Sequence, residues 1–380
     1  MADPHFSEVD RQRIHREIDR ILDGALSMGP NVRAFEHDVA KRVGVRHAIA
    51  MNSCSSALEA ALLSKDVVGK EVIVPVETFI ATGMAVHLVG AIPVFAEISE
   101  ATLCLDLQDV KKKVTKRTAG VILVHMAGLI TPDVLEFRQF CNDNKLLFIE
   151  DAAHSPGAQW NGREAGSFGD AGCFSFYPTK VVTAAEGGML TTDNDDIAAF
   201  ARSYQHRGRD LHQQMESYIR PGRNVRMTEI SALLGRVQFG HLDEFLLKRR
   251  QIASTYQREF ANQEEVSLLA PKQLESSSFW KVPLLIEPHI DRQLVIKAMA
   301  DYGITVDSSY QPALHLQPVF QKIYGTAEGM LPRSEWLLSR HICLPCHPRM
   351  TEQDAVYVAN SLRSIIGDMS NSVKKQDSVG

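Results

Sequence analysis

The chain has 380 residues, of which 44% are hydrophobic and 23% are charged, a composition typical of globular proteins. Its 41 basic and 46 acidic residues give a net charge of −5, so we expect neither nucleic acid nor an anionic membrane as its main partner. The sequence starts with no signal peptide pattern, and no apolar stretch is long enough to span a bilayer. We therefore expect a cytoplasmic protein.

The six cysteines are sparse and lie mostly in apolar segments, which indicates a reducing compartment rather than disulfides. Cys343 and Cys346 form a C-x-x-C motif between two histidines. This motif is compatible with a redox pair or half of a zinc site. Because no second C-x-x-C is present, we favour a buried strand that leads into a proline turn, and we predict no metal site.

From the N-terminus, apolar spacing predicts helices at 11–23 and 31–43, and then short apolar strands alternate with helices. Strands are predicted at 47–51, 72–75, 92–96, 121–125, 146–149, 173–176 and 189–192. Helices among and after them are predicted at 55–64, 78–89, 131–144, 194–206 and 228–261. Gly240 is expected to divide the last helix. This alternation predicts an α/β fold with a mostly parallel sheet sandwiched by helices.

The length favours two domains. A polar stretch after residue 261 suggests a large domain at 1–261, which includes the N-terminal helical segment, and a smaller α+β domain at 262–367. The polar segment 368–380 is predicted to be a disordered tail. Ligands of parallel sheets bind beyond the carboxyl ends of the strands, so polar residues that follow strands are the candidate site residues.

Two of these candidates are Asp151 and Lys180. Asp151 follows a buried strand, where an unpaired charge is costly, and a protonated pyridine nitrogen would neutralise it. Capping of a helix is the alternative for Asp151. Lys180 follows another strand and a proline, where a lysine of lowered pKa can form a Schiff base with an aldehyde. A solvated loop lysine is the alternative there.

Phosphate binding is predicted at Ser53, Cys54 and Ser55, where a strand ends and a helix begins. Free backbone N–H groups and serine hydroxyls at a helix N-terminus hold phosphate, although an ordinary serine cap fits as well. Ser175 can add a hydroxyl. Phe79 either stacks on a planar cofactor or belongs to the core. All these groups together fit pyridoxal 5′-phosphate.

Four motifs make the sequence similar to a known family: residues 150–154 (EDAAH), 166–170 (GSFGD), 175–180 (SFYPTK) and 224–229 (NVRMTE). With them, most of the chain resembles the DegT/DnrJ/EryC1/StrS family of pyridoxal phosphate-dependent sugar aminotransferases, which have fold type I. The resemblance implies that fold, with a smaller C-terminal domain. One departure is that Cys54 and Ser55 stand where the family usually has Gly and Thr.

The resemblance also implies a role for each matching residue. Lys180 matches the Schiff-base lysine, Asp151 the partner of the pyridine nitrogen, and His154 a residue near the phenolic oxygen of the cofactor. The Ser55 and Ser175 hydroxyls, with the backbone at Ser53 and Cys54, match the phosphate contacts of the family. Phe79 matches the aromatic residue that stacks on the cofactor. Asn224 matches an asparagine that reaches the phosphate of the neighbouring subunit, which implies a homodimer with shared active sites. Candidate substrate contacts are His315, Arg207 and Tyr177, for each of which a structural role is the alternative.

The resemblance implies an aminotransferase that moves an amino group from glutamate to a keto-sugar, nucleotide-linked, by a ping-pong mechanism in amino-sugar biosynthesis. A keto-cyclitol or a phosphorylated keto-sugar is an alternative acceptor. A sugar dehydratase of the same family is disfavoured, since those proteins replace the Schiff-base lysine with His. A non-catalytic regulatory or sensor protein that keeps the fold is the alternative of a different class.

Overall fold

The computed structural model describes residues 4–211, 213, 215–271 and 273–377, with side chains described up to 370. The helices are α1 (Glu8–Leu22), α2 (Pro30–Val43), α3 (Cys54–Leu63), α4 (Ile80–Leu88), α5 (Leu107–Lys113), α6 (Val134–Asp143), α7 (Asp195–Tyr204), α8 (Glu229–Gly240), α9 (Leu242–Phe260), α10 (Arg292–Asp301), α11 (Pro318–Tyr324), α12 (Pro332–Arg340) and α13 (Glu352–Asp377). The strands are β1 (His47–Met51), β2 (Glu71–Pro75), β3 (Ile92–Ala96), β4 (Thr118–Val124), β5 (Leu147–Asp151), β6 (Gln159–Trp160), β7 (Arg163–Glu164), β8 (Ala171–Ser175), β9 (Gly188–Thr192), β10 (Val266–Leu268), β11 (Val282–Ile286) and β12 (His341–Leu344). None of the described helices combines the length and hydropathy needed to cross a membrane.

The main sheet, within the described residues, has seven strands in the order β1-β9-β8-β5-β4-β2-β3. β9 runs antiparallel to both of its neighbours, and the other strands all run in the same direction. Most residues of these strands are buried apolar residues, because strands flanked by helices have no face in water. The predicted α/β fold with a mostly parallel sheet is therefore confirmed.

The ends of the helices follow from local sequence. α2 begins at Pro30, whose missing N–H costs nothing at a first helical position, and it ends before Gly44, which has a φ of 78°. The predicted long helix 228–261 is divided where expected, since α8 ends at Gly240 and α9 begins after His241.

Most of the buried apolar residues described here belong to two large cores, and a small third cluster packs α1 against α8. The first surrounds the main sheet, and the second packs the antiparallel sheet β10-β11-β12 against α10 and α13. α9 contributes to both, with Phe245 in the first core and Tyr256 in the second. The second core therefore begins inside α9, while the division of domains at residue 261 stays a prediction.

The segment 368–380, which the sequence predicts to be a disordered tail, begins as a continuation of the last helix. α13 continues to Asp377, and residues 378–380 lie outside the described residues. Met369 packs against the second core and Ser370 is buried. This anchoring, and the absence of proline or glycine from 368–377, lets a polar sequence remain helical.

Candidate active site

A cavity of about 600 Å³ lies where β1, β2, β4, β5 and β8 end. One side, which we call the sheet-side wall, comes from residues that follow these strands. It brings together the predicted residues Ser53, Cys54, Ser55, Phe79, Asp151, His154, Ser175, Tyr177 and Lys180. The other side, which we call the C-terminal wall, consists of Trp280, Lys281, Asp307 and Tyr310.

Asp151 ends β5 and is only 5% exposed. Its carboxylate oxygens accept hydrogen bonds from Thr82 Oγ1 at 2.8 Å and from the Ala153 N–H at 3.2 Å. Burial raises the pKa of Asp151, while those two donors and the nearby Lys180 charge oppose the increase. Because both donors are neutral, the carboxylate still favours a cationic partner in the cavity, which a protonated pyridine nitrogen would supply.

Lys180 lies on the loop after β8, where its N–H donates to the Tyr177 carbonyl at 3.0 Å. Its Nζ is 4.4 Å from the Trp280 ring centroid, and Trp280 Nε1 donates to the Thr179 carbonyl at 2.5 Å. Burial lowers the pKa of Lys180 to about 8, although the Asp151 charge opposes that decrease. A large fraction of the amine is therefore neutral near pH 8, and only the neutral amine attacks an aldehyde.

His154 is buried between aromatic side chains. Its ring stacks on Trp280 with 3.9 Å between centroids, and its Nε2 lies 2.8 Å from Tyr310 Oη. Burial, together with the charges of Lys180 and Lys281, holds the pKa of His154 well below its usual value, so the ring is neutral at neutral pH. Its buried Nδ1 has no hydrogen-bond partner among the described residues. Such an atom needs one, and the phenolic oxygen of pyridoxal phosphate would fit.

The start of α3 is the segment that the sequence predicts to bind phosphate. Ser53 Oγ caps the helix by accepting from the Ser56 N–H at 3.2 Å. Gly188 on β9 permits a close backbone approach, since a Cβ there would lie 2.2 Å from the Ser53 carbonyl carbon. Residues 53–55 and Ser175 line the cavity. A helix N-terminus with free N–H groups and hydroxyls suits a phosphate, so this end of the cavity fits the cofactor.

Cys54 adds a side chain at this phosphate site. Its Sγ lies 4.0 Å from Asp151 Oδ1. Burial and the Asp151 charge raise the pKa of the thiol well above its usual value, so it is neutral. Phe79 is 54% exposed, with its ring centroid 5.7 Å from that of Tyr310, and Tyr177 is also exposed. The Phe79 ring is thus accessible for stacking on a planar group.

Glu150, the neighbour of Asp151, does not line the cavity. Its carboxylate accepts three backbone N–H bonds of 2.6–2.8 Å from the 166–169 loop, and it lies 2.8 Å from His125 Nε2. Backbone N–H groups of the GSFGD motif therefore occupy both carboxylate oxygens of Glu150. Of the two adjacent carboxylates, one fixes a loop and the other remains available to a ligand.

Three predicted site residues do not line this cavity. The turn Leu314–Leu316 buries the ring of His315, with Nε2 2.9 Å from Glu335 Oε1, so a substrate role for His315 has no support from the lining of this cavity and stays a prediction. Arg207 and Asn224 are exposed and lie outside the lining of their own subunit's cavity. A role for them in a neighbouring subunit stays a prediction.

The C-terminal wall was missed by the sequence reasoning. Trp280 and Lys281 directly precede the apolar strand β11, a position that could have been flagged as readily as those after the earlier strands. Thr82, the donor to Asp151, follows Phe79 by three residues on one helical face. Asp307 and Tyr310 lie in an irregular segment without a comparable signal.

Cys343 and Cys346 are free thiols, both buried. Cys343 lies in β12 with its Sγ 3.2 Å from His341 Nε2, whereas Cys346 Sγ lies 3.6 Å from the Arg249 carbonyl oxygen. The side chains described here include no group of three or more that could hold a metal ion. The favoured interpretation, a buried strand, is confirmed for Cys343.

The profile of the DegT/DnrJ/EryC1/StrS aminotransferase family matches residues 8–363. The chain belongs to this family, as its motifs predict. It is a pyridoxal phosphate-dependent aminotransferase of fold type I, and the residues of the cavity fit that cofactor.

Similar proteins cover nearly the whole chain. GDP-perosamine synthase from Caulobacter vibrioides is 33% identical over 90% of this chain and 91% of its own length. A pleiotropic regulatory protein from Geobacillus stearothermophilus is 31% identical over 92% of this chain and 95% of its own. The solved structure of S. venezuelae DesV in complex with a ketimine intermediate is 30% identical, with a TM-score of 0.87 over 94% of this chain and 95% of that one.

Proposed function

We propose that this aminotransferase transfers an amino group from glutamate to a nucleotide-linked keto-sugar, by a ping-pong mechanism, in amino-sugar biosynthesis. The observation that carries the proposal is that Lys180, Asp151 and the phosphate site at 53–55 line one cavity in a chain of this family. The name of the relative GDP-perosamine synthase supports a nucleotide-linked sugar. The free cysteines support a cytoplasmic location.

Each residue has a defined task in this proposal. When bound, pyridoxal phosphate supplies an electron sink that stabilises negative charge on the carbon that loses a proton. Lys180 Nζ, with a pKa of about 8, accepts that proton from the donor and later returns one to the acceptor side. Asp151 keeps a proton on the pyridine nitrogen. Because a single cavity serves both substrates, they must bind in turn.

The absorbance spectrum of the purified protein tests this proposal. We expect a band at about 410–430 nm with pyridoxal phosphate, and we expect L-glutamate to shift it to about 330 nm. Lys180→Ala should lack both responses, whereas Lys248→Ala, on the surface of α9, should retain them. A wild-type protein without the first band would contradict the site assignment, and a band that glutamate leaves unchanged would contradict glutamate as the donor.

The acceptor is tested on the glutamate-treated protein after removal of free glutamate. Nucleotide-linked keto-hexoses, phosphorylated keto-sugars and keto-cyclitols are offered in turn. We expect return of the 410–430 nm band, about the range of the bound aldehyde form, only with a nucleotide-linked sugar. If the band returns only with a phosphorylated keto-sugar or a keto-cyclitol, then that compound class, and not a nucleotide-linked sugar, is the acceptor.

We also propose a homodimer in which Asn224 reaches the phosphate of the neighbouring subunit. The support is that Asn224 is exposed and does not line its own cavity, while Phe79 and Tyr177 are exposed at the mouth. Co-expression of Lys180→Ala with Asn224→Ala tests this. A mixed dimer has one intact site, so activity should return although each variant alone has little. Without any return, the sites are not shared.

A regulatory protein is the second candidate, because a relative of 31% identity is named a pleiotropic regulatory protein. A regulator without catalysis would bind pyridoxal phosphate but show no spectral change with any amino donor. The glutamate experiment therefore separates the two functions. Conversion by glutamate would eliminate the non-catalytic interpretation.

A further inference from the structure

We infer that Lys281 binds a carboxylate of the amino donor. This inference rests on the proposed function, in which glutamate is that donor. It concerns a residue of the C-terminal wall that none of the family motifs contains.

The need for such a residue follows from the charges in the cavity. Glutamate carries two carboxylates, and a carboxylate leaving water requires a cationic or multiply donating partner. Among the described lining residues, the lysines are Lys180 and Lys281, and the cavity histidine, His154, is neutral. Lys180 reacts during turnover, so it does not serve as a permanent anchor. Lys281 is the remaining lining ammonium.

The geometry of Lys281 is that of a prepared binding group. Its Nζ pairs with Asp307 Oδ2 and donates to Ser309 Oγ at 2.8 Å, and Ser309 Oγ in turn donates to Asp307 Oδ1 at 2.9 Å. An ammonium has three N–H donors, and these contacts use two of them. The side chain is 20% exposed, so one donor remains for a ligand in the cavity that it lines.

The backbone around the pair is fixed. Lys281 directly precedes β11, which pairs with β12, and the Cys343 N–H of β12 donates to the Asp307 carbonyl at 2.6 Å. Asp307 is 41% exposed, so its carboxylate has room to yield part of the ammonium to a ligand. The Nζ atoms of Lys281 and Lys180 both lie 4.4 Å from the Trp280 ring centroid. A single donor molecule can therefore reach both lysines.

Substitutions of Lys281 and of Asp307 should change the KM for glutamate in opposite directions. Lys281→Met removes the anchor, and we expect at least a tenfold lower kcat/KM for L-glutamate in the first half-reaction, mainly through KM. Lys281→Arg, which keeps the charge, should recover most of that loss. Asp307→Asn removes the competing carboxylate charge, while its amide oxygen can still accept a hydrogen bond from the ammonium, so the KM for glutamate should be lower. A purely structural ion pair would make Lys281→Met and Asp307→Asn fail alike.

The experiment uses the cofactor-loaded protein and two readouts. The rate of the glutamate-induced shift gives the half-reaction, and calorimetric titration with glutarate, a dicarboxylate without an amino group, gives binding without catalysis. We expect Lys281→Met to weaken glutarate binding at least tenfold, with Lys248→Met as the unaffected control. Retention of the cofactor band shows that the variants are folded.

Three results would overturn the inference. They are wild-type rates of Lys281→Met with glutamate, wild-type affinity of Lys281→Met for glutarate, and losses in Asp307→Asn that match those of Lys281→Met. If the wild-type protein itself is not converted by glutamate, then the proposed donor fails and the inference fails with it. If glutamate converts the wild type and Lys281→Met at the same rate, the role of Lys281 is rejected but the proposed function is not.

Discussion

The two walls of the cavity are built in different ways. The groups of the sheet-side wall stand at the ends of strands, where the hydrogen bonds of the main sheet fix their backbone. The C-terminal wall lies outside the main sheet, where Lys281 precedes β11 and Asp307 is hydrogen-bonded to β12. Side-chain contacts also join it to the sheet-side wall, from Trp280 to the Thr179 carbonyl and from Tyr310 to His154. We therefore expect Asp151→Asn on the sheet-side wall to remove a chemical group, whereas Trp280→Leu on the C-terminal wall should act on a group that remains, the Lys180 amine.

The largest expected effect is on the sheet-side wall, with Asp151→Asn. Loss of the charge that holds a proton on the pyridine nitrogen should lower kcat by about 10–100-fold, the size of one charged hydrogen bond. Stability should be unchanged or higher, since a buried carboxylate is replaced by an amide of the same shape. Single-turnover kinetics with glutamate and urea unfolding measure the two effects, and unchanged kcat would contradict the role of Asp151.

Glu150→Gln sharpens the comparison, because it changes the adjacent carboxylate that faces away from the cavity. Both carboxylate oxygens of Glu150 accept backbone N–H bonds. In Glu150→Gln the side-chain NH₂ group, which cannot accept, would therefore replace one of these acceptors opposite a backbone N–H donor. We expect a loss of about 2 kcal/mol in the free energy of unfolding, with the cofactor band retained at low temperature. If Glu150→Gln abolished cofactor binding without loss of stability, Glu150 would belong to the site.

On the C-terminal wall, Trp280→Leu should act through Lys180. Removing the indole admits water to the ammonium, so the pKa of Lys180 should rise from about 8 toward its ordinary value of 10.5. Cofactor uptake by the cofactor-free protein needs the neutral amine, so its rate should be half-maximal near pH 8 in the wild type and at higher pH in the variant. We expect uptake about fivefold slower at pH 8, by the ratio of neutral amine for a rise of about one unit in the pKa of Lys180.

Trp280→Phe is the matched control, since it keeps an aromatic ring over Lys180 but lacks the N–H donor. Its pH profile should lie nearer to that of the wild type. An identical profile for all three proteins would mean that the C-terminal wall does not influence the lysine.

The smallest expected effect on catalysis concerns Glu77, which lies beside the cavity and is completely buried. Its Oε1 lies 3.8 Å from His341 Nδ1, and neither of its oxygens has a hydrogen-bond partner among the described residues. Burial raises its pKa well above the ordinary 4.5. A raised folded-state pKa gives stability below pH 4.5 that is lost as pH rises toward the folded value. Glu77→Gln should therefore remove a decline in unfolding free energy of about 1.4 kcal/mol for each pH unit between 4.5 and the folded-state pKa of Glu77. Parallel declines in urea unfolding would show that Glu77 already has a partner.

Much of the fold could be predicted because its signals are local. β1 and β3 have the predicted bounds, and the other predicted strands of the sheet differ by at most a few residues. The antiparallel direction of β9 was not predicted, because short apolar runs carry no directional information. The helical continuation of α13 was missed because its anchor, Met369, is a single apolar residue in a polar segment.

The sequence by itself determined the α/β architecture and the groups at the strand ends, Asp151, Ser175 and Lys180, because strand ends and chemical type are both local properties. Only the tertiary structure decided that backbone N–H groups of the 166–169 loop hold Glu150 and that His315 is buried away from the cavity. It alone also placed Trp280 and Lys281 opposite residues about a hundred positions earlier in the chain. Those contacts join segments that are distant in sequence, and no local pattern encodes which distant partner a side chain meets.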